Sequence, residues 1–364
     1  MKIPLARPAM TEKMIKAAAD ALRNERLVMG ESVHKFEEKF AKYTGTDYAI
    51  SCSSGTNALT MAQIAFGITN KKVYVPTMTF IATPNSAVHI GNTPMFVDCS
   101  NEDGNIDTDK IRIRDDVKAI IPVHLYGNPA DMDTITEYMG DKIIIEDACQ
   151  AHGAEYNHKK CGSLANAGCF SFYTTKNMTV GGDGGMVTTN DEKAAKDISS
   201  LRDCGRKTRY EHNIIGYTSR LNTVNAAIGL EQLKMLDKWN NKRREAAAEY
   251  RKQLKDCEEV ITQPKPPKRK KPAYHLFAIQ AKYRDKMAEY LKAQGIETGN
   301  QYPIPCHKQE PYISRWETQP YSLQASERWA AHVLTLPMFA GITKEQIKKV
   351  TDAIKECNNK GAKK

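Results

Sequence analysis

Seven short runs rich in apolar and β-branched residues punctuate the first half of the chain: "YAISCS", "KVYVP", "PMFVDC", "AIIPVHLY", "KIIIEDA", "CFSFY" and "GMVTTN". Between most of them lie segments with helical spacing, such as "NALTMAQIAFGI" after the first and "DMDTITEYMG" after the fourth. Strands alternating with helices predict an α/β fold with helices on both faces of one sheet. Runs that are almost continuously apolar predict strands buried on both faces, as in a parallel sheet. The last pair breaks the pattern. Residues 174–184, between "CFSFY" and "GMVTTN", are too few and too rich in glycine for the helical crossover that parallel neighbours need. The seventh strand is therefore expected to run antiparallel.

At 364 residues the chain exceeds the roughly 250–300 that one core ordinarily serves. The segment "TVNAAIGLEQLKMLDKWNNKRREAAAEYRKQL" starts at Thr223, spaces Ile228, Leu233, Leu236 and Trp239 along one side, and then turns heavily charged. It reads as a long helical bridge out of the first unit. Beyond it, "YHLFAIQA" reads as a strand, "RDKMAEYLKAQG" as a helix ending at Gly295, and "TKEQIKKVTDAIKEC" as a final helix. The expected division is a large α/β domain over residues 1–240, with the start of the bridge, and a smaller α+β domain over 241–364.

The formal charge of +10 favours anionic ligands. Much of the excess is local: "KPPKRKK" (265–271) and "NKGAKK" (359–364) read as a solvated basic loop and a frayed tail. Without repeats or interleaved aromatic residues they are not taken as a nucleic-acid surface. The nine cysteines include no C-x-x-C pair, and an odd number fits a disulfide framework poorly, so reduced thiols are expected. The N-terminal stretch lacks an apolar core of signal-peptide length, and no run of 18 uncharged apolar residues occurs. The expectation is a cytoplasmic protein with no membrane partner.

Three features carry chemistry. The first strand runs into "SSGTNAL", where Ser53, Ser54, Gly55 and Thr56 open a helix; free N–H groups and the helix dipole suit such a turn to phosphate, although a plain helix cap reads the same way. The fifth strand ends in Glu146 and Asp147, which alternation places on opposite faces of the sheet; an acid there either holds a cationic group or caps a following helix. Lys176 stands between "CFSFY" and the loop "GGDGG". The Walker and G-x-G-x-x-G phosphate patterns are both missing. All three features fall beyond strand C-termini, where open α/β sheets bind ligands. Together they match the needs of pyridoxal 5'-phosphate: an anchor for its phosphate, an acid for its ring nitrogen and an amine for its aldehyde. His124 and His152 read as packed or hydrogen-bonded residues, and no spacing of histidine, cysteine and acid suggests a metal.

These blocks resemble the sugar aminotransferases of the DegT/DnrJ/EryC1/StrS family. The resemblance runs through "KFEEKFAKYTGTDYAISCSSGTNAL", "VPTMTFIATPNSAVHIGNTPMFVDC", "AIIPVHLYGNPADMD", "IIEDACQAHGAEYNHKKCGSLANAGCFSFYTTKN", "GDGGMVTTN" and "QYPIPCHKQ". It implies the aspartate aminotransferase type of fold: a mostly parallel seven-stranded sheet with one antiparallel strand, plus a smaller C-terminal α+β domain. It also implies a Schiff base at Lys176, Asp147 at the pyridinium nitrogen, Gln150 near the ring hydroxyl and Phe80 stacked on the ring, with Ser54, Gly55, Thr56 and Ser171 at the phosphate. Tyr302 and His307 match positions near the sugar, and Arg220 one that recognises anions across a homodimer interface. Thr218 stands where the family has an asparagine that reaches the partner's cofactor phosphate, Cys204 where histidine is common, and Gln301 where histidine is frequent.

The activity implied is ping-pong transfer of an amino group from glutamate or glutamine to a keto-sugar linked to a nucleoside diphosphate. The alternatives are a keto-inositol or free keto-sugar as acceptor, or a regulatory protein that keeps the fold without catalysis.

Overall fold

The computed structural model describes residues 2–316 and 322–361. Each of the seven runs forms a strand: β1 (Tyr48–Cys52), β2 (Lys72–Pro76), β3 (Thr93–Val97), β4 (Val117–Ile120), β5 (Ile143–Asp147), β8 (Ala167–Ser171) and β9 (Gly185–Thr189). They make one sheet in the order β1-β9-β8-β5-β4-β2-β3. β9 is antiparallel to both neighbours, and the remaining pairs are parallel. The 172–184 connection carries no helix, and the Phe172 N–H closes it on the Gly184 carbonyl at 2.8 Å.

Alternation along the strands sorts side chains to two buried faces. Val73, Val75, Ile145, Cys169 and Val187 join one apolar cluster with Leu59 of α3 (Gly55–Ala65) and Ile198 of α6 (Glu192–Leu201). On the other face, Phe170, Phe172 and Met186 meet Phe36 and Phe40 of α2 (Glu31–Thr44), while Tyr74, Ile120 and Ile144 meet Ile135 of α5 (Met132–Met139). Covering both faces is what makes the strands read as continuous apolar runs.

Three features differ from expectation. No helix follows β5. The chain turns through 148–154 and makes a hairpin of β6 (Glu155–Tyr156) and β7 (Lys159–Lys160) before returning as β8, so Asp147 has no helix to cap. The long helical pattern breaks into α7 (Thr223–Leu233) and α8 (Leu236–Leu254). The break lets Leu236 stay in the sheet-side cluster while Trp239 joins Met14 and Ile228. Finally, the basic run is not a free loop. Lys270 and Lys271 form β11 (Lys270–Lys271), which pairs with β6, and acids opposite complement the charges: Arg269 lies 3.0 Å from Asp131, Lys270 3.7 Å from Asp103 and Lys271 3.1 Å from Glu155. Of the C-terminal basic stretch, 359–361 continue the last helix, α12 (Lys344–Gly361), and 362–364 lie outside the described residues.

The second unit is built on an antiparallel sheet ordered β10-β12-β13, from Val260–Thr262, Phe277–Ala281 and Val333–Leu336. Its cluster gathers Phe277, Ile279, Leu334, Leu291 of α9 (Arg284–Ala293), Val350 and Ile354 of α12, and Tyr250 of α8. Gly295 follows α9 at a φ of 76°. Ile3 belongs to this cluster as well, bridged to Ile296, so the N-terminal segment packs into the cluster of the C-terminal sheet. Among the described residues no helix is long and apolar enough to cross a membrane, and all nine cysteines are free thiols.

Candidate active site

The ends of β1, β5 and β8 face one cavity of about 520 Å³, whose lining includes Gly55, Phe80, Asp147, Gln150, Lys176 and Tyr302. The chain leaves β1 at Cys52 and enters α3 at Gly55. Ser54 caps α3, its Oγ accepting from the Asn57 N–H at 3.2 Å. A β-carbon on Gly55 would stand 2.8 Å from both Cys149 Sγ and Ser171 Cβ, so only glycine lets the helix start come this close to β5 and β8. Gly185 serves the same turn, since a β-carbon there would fall 2.3 Å from the Ser54 carbonyl oxygen. Gly185→Ala is therefore expected to displace the Ser54 turn at a cost of about 1–3 kcal/mol. It should also lower cofactor content per protein, measured by absorbance after gel filtration.

Asp147 is buried at the end of β5. Its Oδ1 accepts the Cys149 N–H at 3.1 Å and its Oδ2 the Thr83 hydroxyl at 2.7 Å. The neighbouring Glu146 points to the opposite face, as alternation requires. It accepts from the Gly162 and Leu164 N–H groups, each at 2.7 Å, and lies 2.9 Å from His124 Nε2. Because His124 Nδ1 accepts from the Ala130 N–H at 3.1 Å, a neutral ring carries its proton on Nε2 and donates it to Glu146. That leaves the His124 ring no free lone pair for a cation, so in the buried His124, Glu146, Cys161 group the histidine is a hydrogen-bonded packing residue. His152 is likewise packed, its ring 5.3 Å from Phe170 and 5.6 Å from Phe172.

Lys176 sits in a turn closed by its own N–H on the Tyr173 carbonyl at 2.9 Å. Burial in the cavity lowers its amine below the ordinary lysine range, while Cys149 and Asp147 pull the other way. Three other groups of the lining, Cys149, Tyr302 and His275, stay neutral around pH 7. Burial pushes the Cys149 thiol and the Tyr302 hydroxyl up, with Asp147 adding to both, and pushes His275 well down. Gln150 has a fixed orientation: its Oε1 accepts the Tyr126 N–H at 2.8 Å, so the amide NH₂ is the end that reaches Tyr302 Oη, 3.4 Å away. Phe80 is 53% exposed and lies 5.8 Å from the Tyr302 ring, so its open face is apolar surface lining the cavity.

Ser54, Gly55, Thr56, Phe80, Asp147, Gln150, Ser171, Lys176 and Tyr302 thus come together. Thr218, Arg220 and His307 do not line that cavity. Thr218 is exposed and 3.3 Å from Cys204 Sγ. Arg220 pairs with Asp203 at 2.5 Å. His307 is buried, with Nδ1 2.5 Å from Thr77 Oγ1 and Nε2 3.2 Å from Glu327. Sequence reasoning missed Leu5, Ala6, Cys149 and His275 in the lining, and Thr83 beside Asp147. Leu5 and Ala6 carry no functional group to notice, and His275 opens a strand that reads as core.

The lining fits pyridoxal 5'-phosphate. The lining offers a helix start with hydroxyls and a glycine cradle, a buried acid and an amide donor, and an amine that burial lowers below the ordinary lysine range. Comparison with known proteins agrees. The DegT/DnrJ/EryC1/StrS aminotransferase family matches residues 8–355. The chain is 39% identical over 333 residues to dTDP-3-amino-3,6-dideoxy-alpha-D-galactopyranose transaminase of Aneurinibacillus thermoaerophilus, covering 90% of each chain. It is 36% identical over 350 residues to the pleiotropic regulatory protein of Geobacillus stearothermophilus, covering 94% of each. The crystal structure of DesV from S. venezuelae superposes with a TM-score of 0.90 at 35% identity, over 94% of this chain and 93% of that one. With its mostly parallel seven-stranded sheet and single antiparallel strand, the chain belongs to the DegT/DnrJ/EryC1/StrS aminotransferase family, whose cofactor is pyridoxal 5'-phosphate.

Proposed function

We propose that the protein is a sugar aminotransferase that moves an amino group from glutamate or glutamine to a keto-sugar carried on a nucleoside diphosphate. The observation that carries the reading is the meeting of Lys176, Asp147 and the Ser54–Thr56 turn in one cavity. The transaminase names of relatives and the formal charge of +10 support an anionic, nucleotide-linked acceptor.

When bound, pyridoxal 5'-phosphate supplies an electron sink for the charge left at the donor's Cα. The rest is the work of the chain. The N–H groups at the start of α3, with Ser54, Thr56 and Ser171, hold the phosphate. Phe80 would cover one face of the ring, and the Gln150 NH₂ would be the donor toward the ring hydroxyl. Asp147 keeps the ring nitrogen protonated, because opposite charges in a water-poor site favour each other. Lys176 would hold the aldehyde end through its amine, and the same amine would serve as the base that carries the proton to and from the donor's Cα. Both half-reactions use one cavity, which implies ping-pong kinetics. Tyr302 contacts the sugar from within, with His307 behind the same segment. Thr218 and Arg220, exposed or half-buried away from the cavity, serve the partner's site in a cytoplasmic homodimer. The division at residue 240 belongs to this reading, supported by the separate apolar cluster of the C-terminal part.

The test has two arms. Borohydride reduction of the holoenzyme is expected to fix the cofactor to Lys176. Burial lowers the amine, so its free-base fraction exceeds that of a solvated lysine at any pH below the ordinary lysine range. When cofactor is added to apoenzyme, Lys176 should therefore be labelled ahead of solvated lysines, by a margin that is large near pH 7 and shrinks as pH rises into that range. The amino-loaded enzyme is then offered nucleotide-linked keto-sugars, keto-inositols and free keto-sugars, and return of the original absorbance identifies the acceptor class. Label on another lysine refutes the assignment. A protein with no cofactor and no response to amino donors would be the regulatory alternative.

A further inference from the structure

The strand end does not hold Asp147 alone. Thr83, in α4 (Ala82–Val88), is completely buried and donates its hydroxyl to Asp147 Oδ2 at 2.7 Å. Thr79 Oγ1 lies 2.9 Å from Thr83 Oγ1 and is buried too. A carboxylate oxygen only accepts, so the single Thr83 proton is committed to Asp147, and the Thr83 oxygen accepts in turn from Thr79. The direction of the chain is fixed: Thr79 to Thr83 to Asp147.

A threonine in a helix ordinarily has a nearer partner in a carbonyl of the preceding turn. Thr44 does this here, donating to the Phe40 carbonyl at 2.9 Å. The corresponding carbonyl for Thr83, that of Thr79, instead accepts the Cys306 thiol at 3.4 Å, and Thr83 turns to the acid. With the Cys149 N–H on Oδ1, each oxygen of Asp147 has one fixed donor, and hydrogen bonds to a charged group out of water are the strong kind. The turn that supplies the hydroxyls also carries Phe80, so residues 79–83 present a flat face to the cavity and a donor to its acid.

Resting on the cofactor reading above, we propose that Thr83, oriented by Thr79, is a positioning residue of the transamination: it aims the Asp147 carboxylate at the cofactor's ring nitrogen and stabilises its charge, so that the nitrogen keeps its proton. Loss of the hydroxyl leaves the ring less electron-poor. That slows proton removal from the donor and makes the nitrogen of the Lys176 linkage more basic.

The test compares holoenzymes of wild type, Thr83→Val, Thr83→Ser and Thr79→Val. It reads the pH midpoint of the bound cofactor's absorbance change and the rate of the donor half-reaction. Thr83→Val should raise the midpoint by about one pH unit and slow the half-reaction about ten- to a hundredfold. Thr83→Ser, which keeps the donor, should match wild type. A merely structural threonine would leave the midpoint in place, so an unmoved midpoint in folded Thr83→Val overturns the proposal. Should that variant fail to fold, Thr79→Val decides: a midpoint raised by a smaller amount supports the relay, and an unmoved one overturns it. Borohydride labelling of the same samples separates the two readings. Label on Lys176 with an unmoved midpoint sinks only the role of Thr83, whereas label elsewhere in wild type sinks the cofactor assignment and this inference with it.

Discussion

Lys176→Ala is expected to abolish turnover, with the donor half-reaction falling by about 10⁴-fold or more, while the protein folds and still takes up cofactor. The size of the effect follows from what the residue does twice. The amine forms the covalent link, and after displacement it is the base nearest the donor's Cα; the other ionisable groups of the lining are poor substitutes. Burial keeps the Cys149 thiol and the Tyr302 hydroxyl protonated, and burial, with Lys176 and Arg243 adding to it, holds His275 neutral. Retained cofactor is expected because the α3 turn, Gln150 and Phe80 do not depend on the lysine. The check is single-turnover absorbance after mixing holoenzyme with glutamate. A variant that turns over within tenfold of wild type would show that another base acts.

Asp147→Asn should cost about 10³-fold in the same step, with cofactor binding weakened rather than lost. Both oxygens of Asp147 accept hydrogen bonds, one from Cys149 N–H and one from Thr83. An amide offers one acceptor, so it mismatches one of these donors and removes the charge that holds the proton on the ring nitrogen. The absorbance of the bound cofactor and the rate of donor-dependent change measure the two losses separately. Normal rates in a well-loaded Asp147→Asn enzyme would remove the electron-sink argument.

The seven strands were legible because both faces of the sheet are covered, which writes Ile143 to Ile145 and Val73 to Val75 as unbroken apolar runs. The antiparallel turn was legible from the short connection after Phe172. Lys176, Asp147 and the Ser54 turn stood out together because sheet topology sends three strand ends to one edge. What stayed hidden depends on contacts between remote segments. The break after Leu233 follows from two clusters competing for Leu236 and Trp239, a choice that periodicity alone does not record. The basic run is mostly exposed, as expected, but its pairing with β6 and its acid partners stayed hidden because Asp103, Asp131 and Glu155 lie more than a hundred residues away in the chain. Thr83 carries no signal in the sequence, and only its distance to Asp147 sets it apart.

The N-terminal segment has a consequence for how the pocket is completed during folding. Leu5 and Ala6 wall the cavity, yet Ile3 is tied to Gly295 and Glu297, and the Leu5 carbonyl accepts from the Met338 N–H at 2.9 Å. Leu5 and Ala6 therefore cannot take their place until residues as distant in the chain as Glu297 and Met338 are in theirs. A chain folded only through the large sheet carries the lysine and the acid but an unfinished chamber.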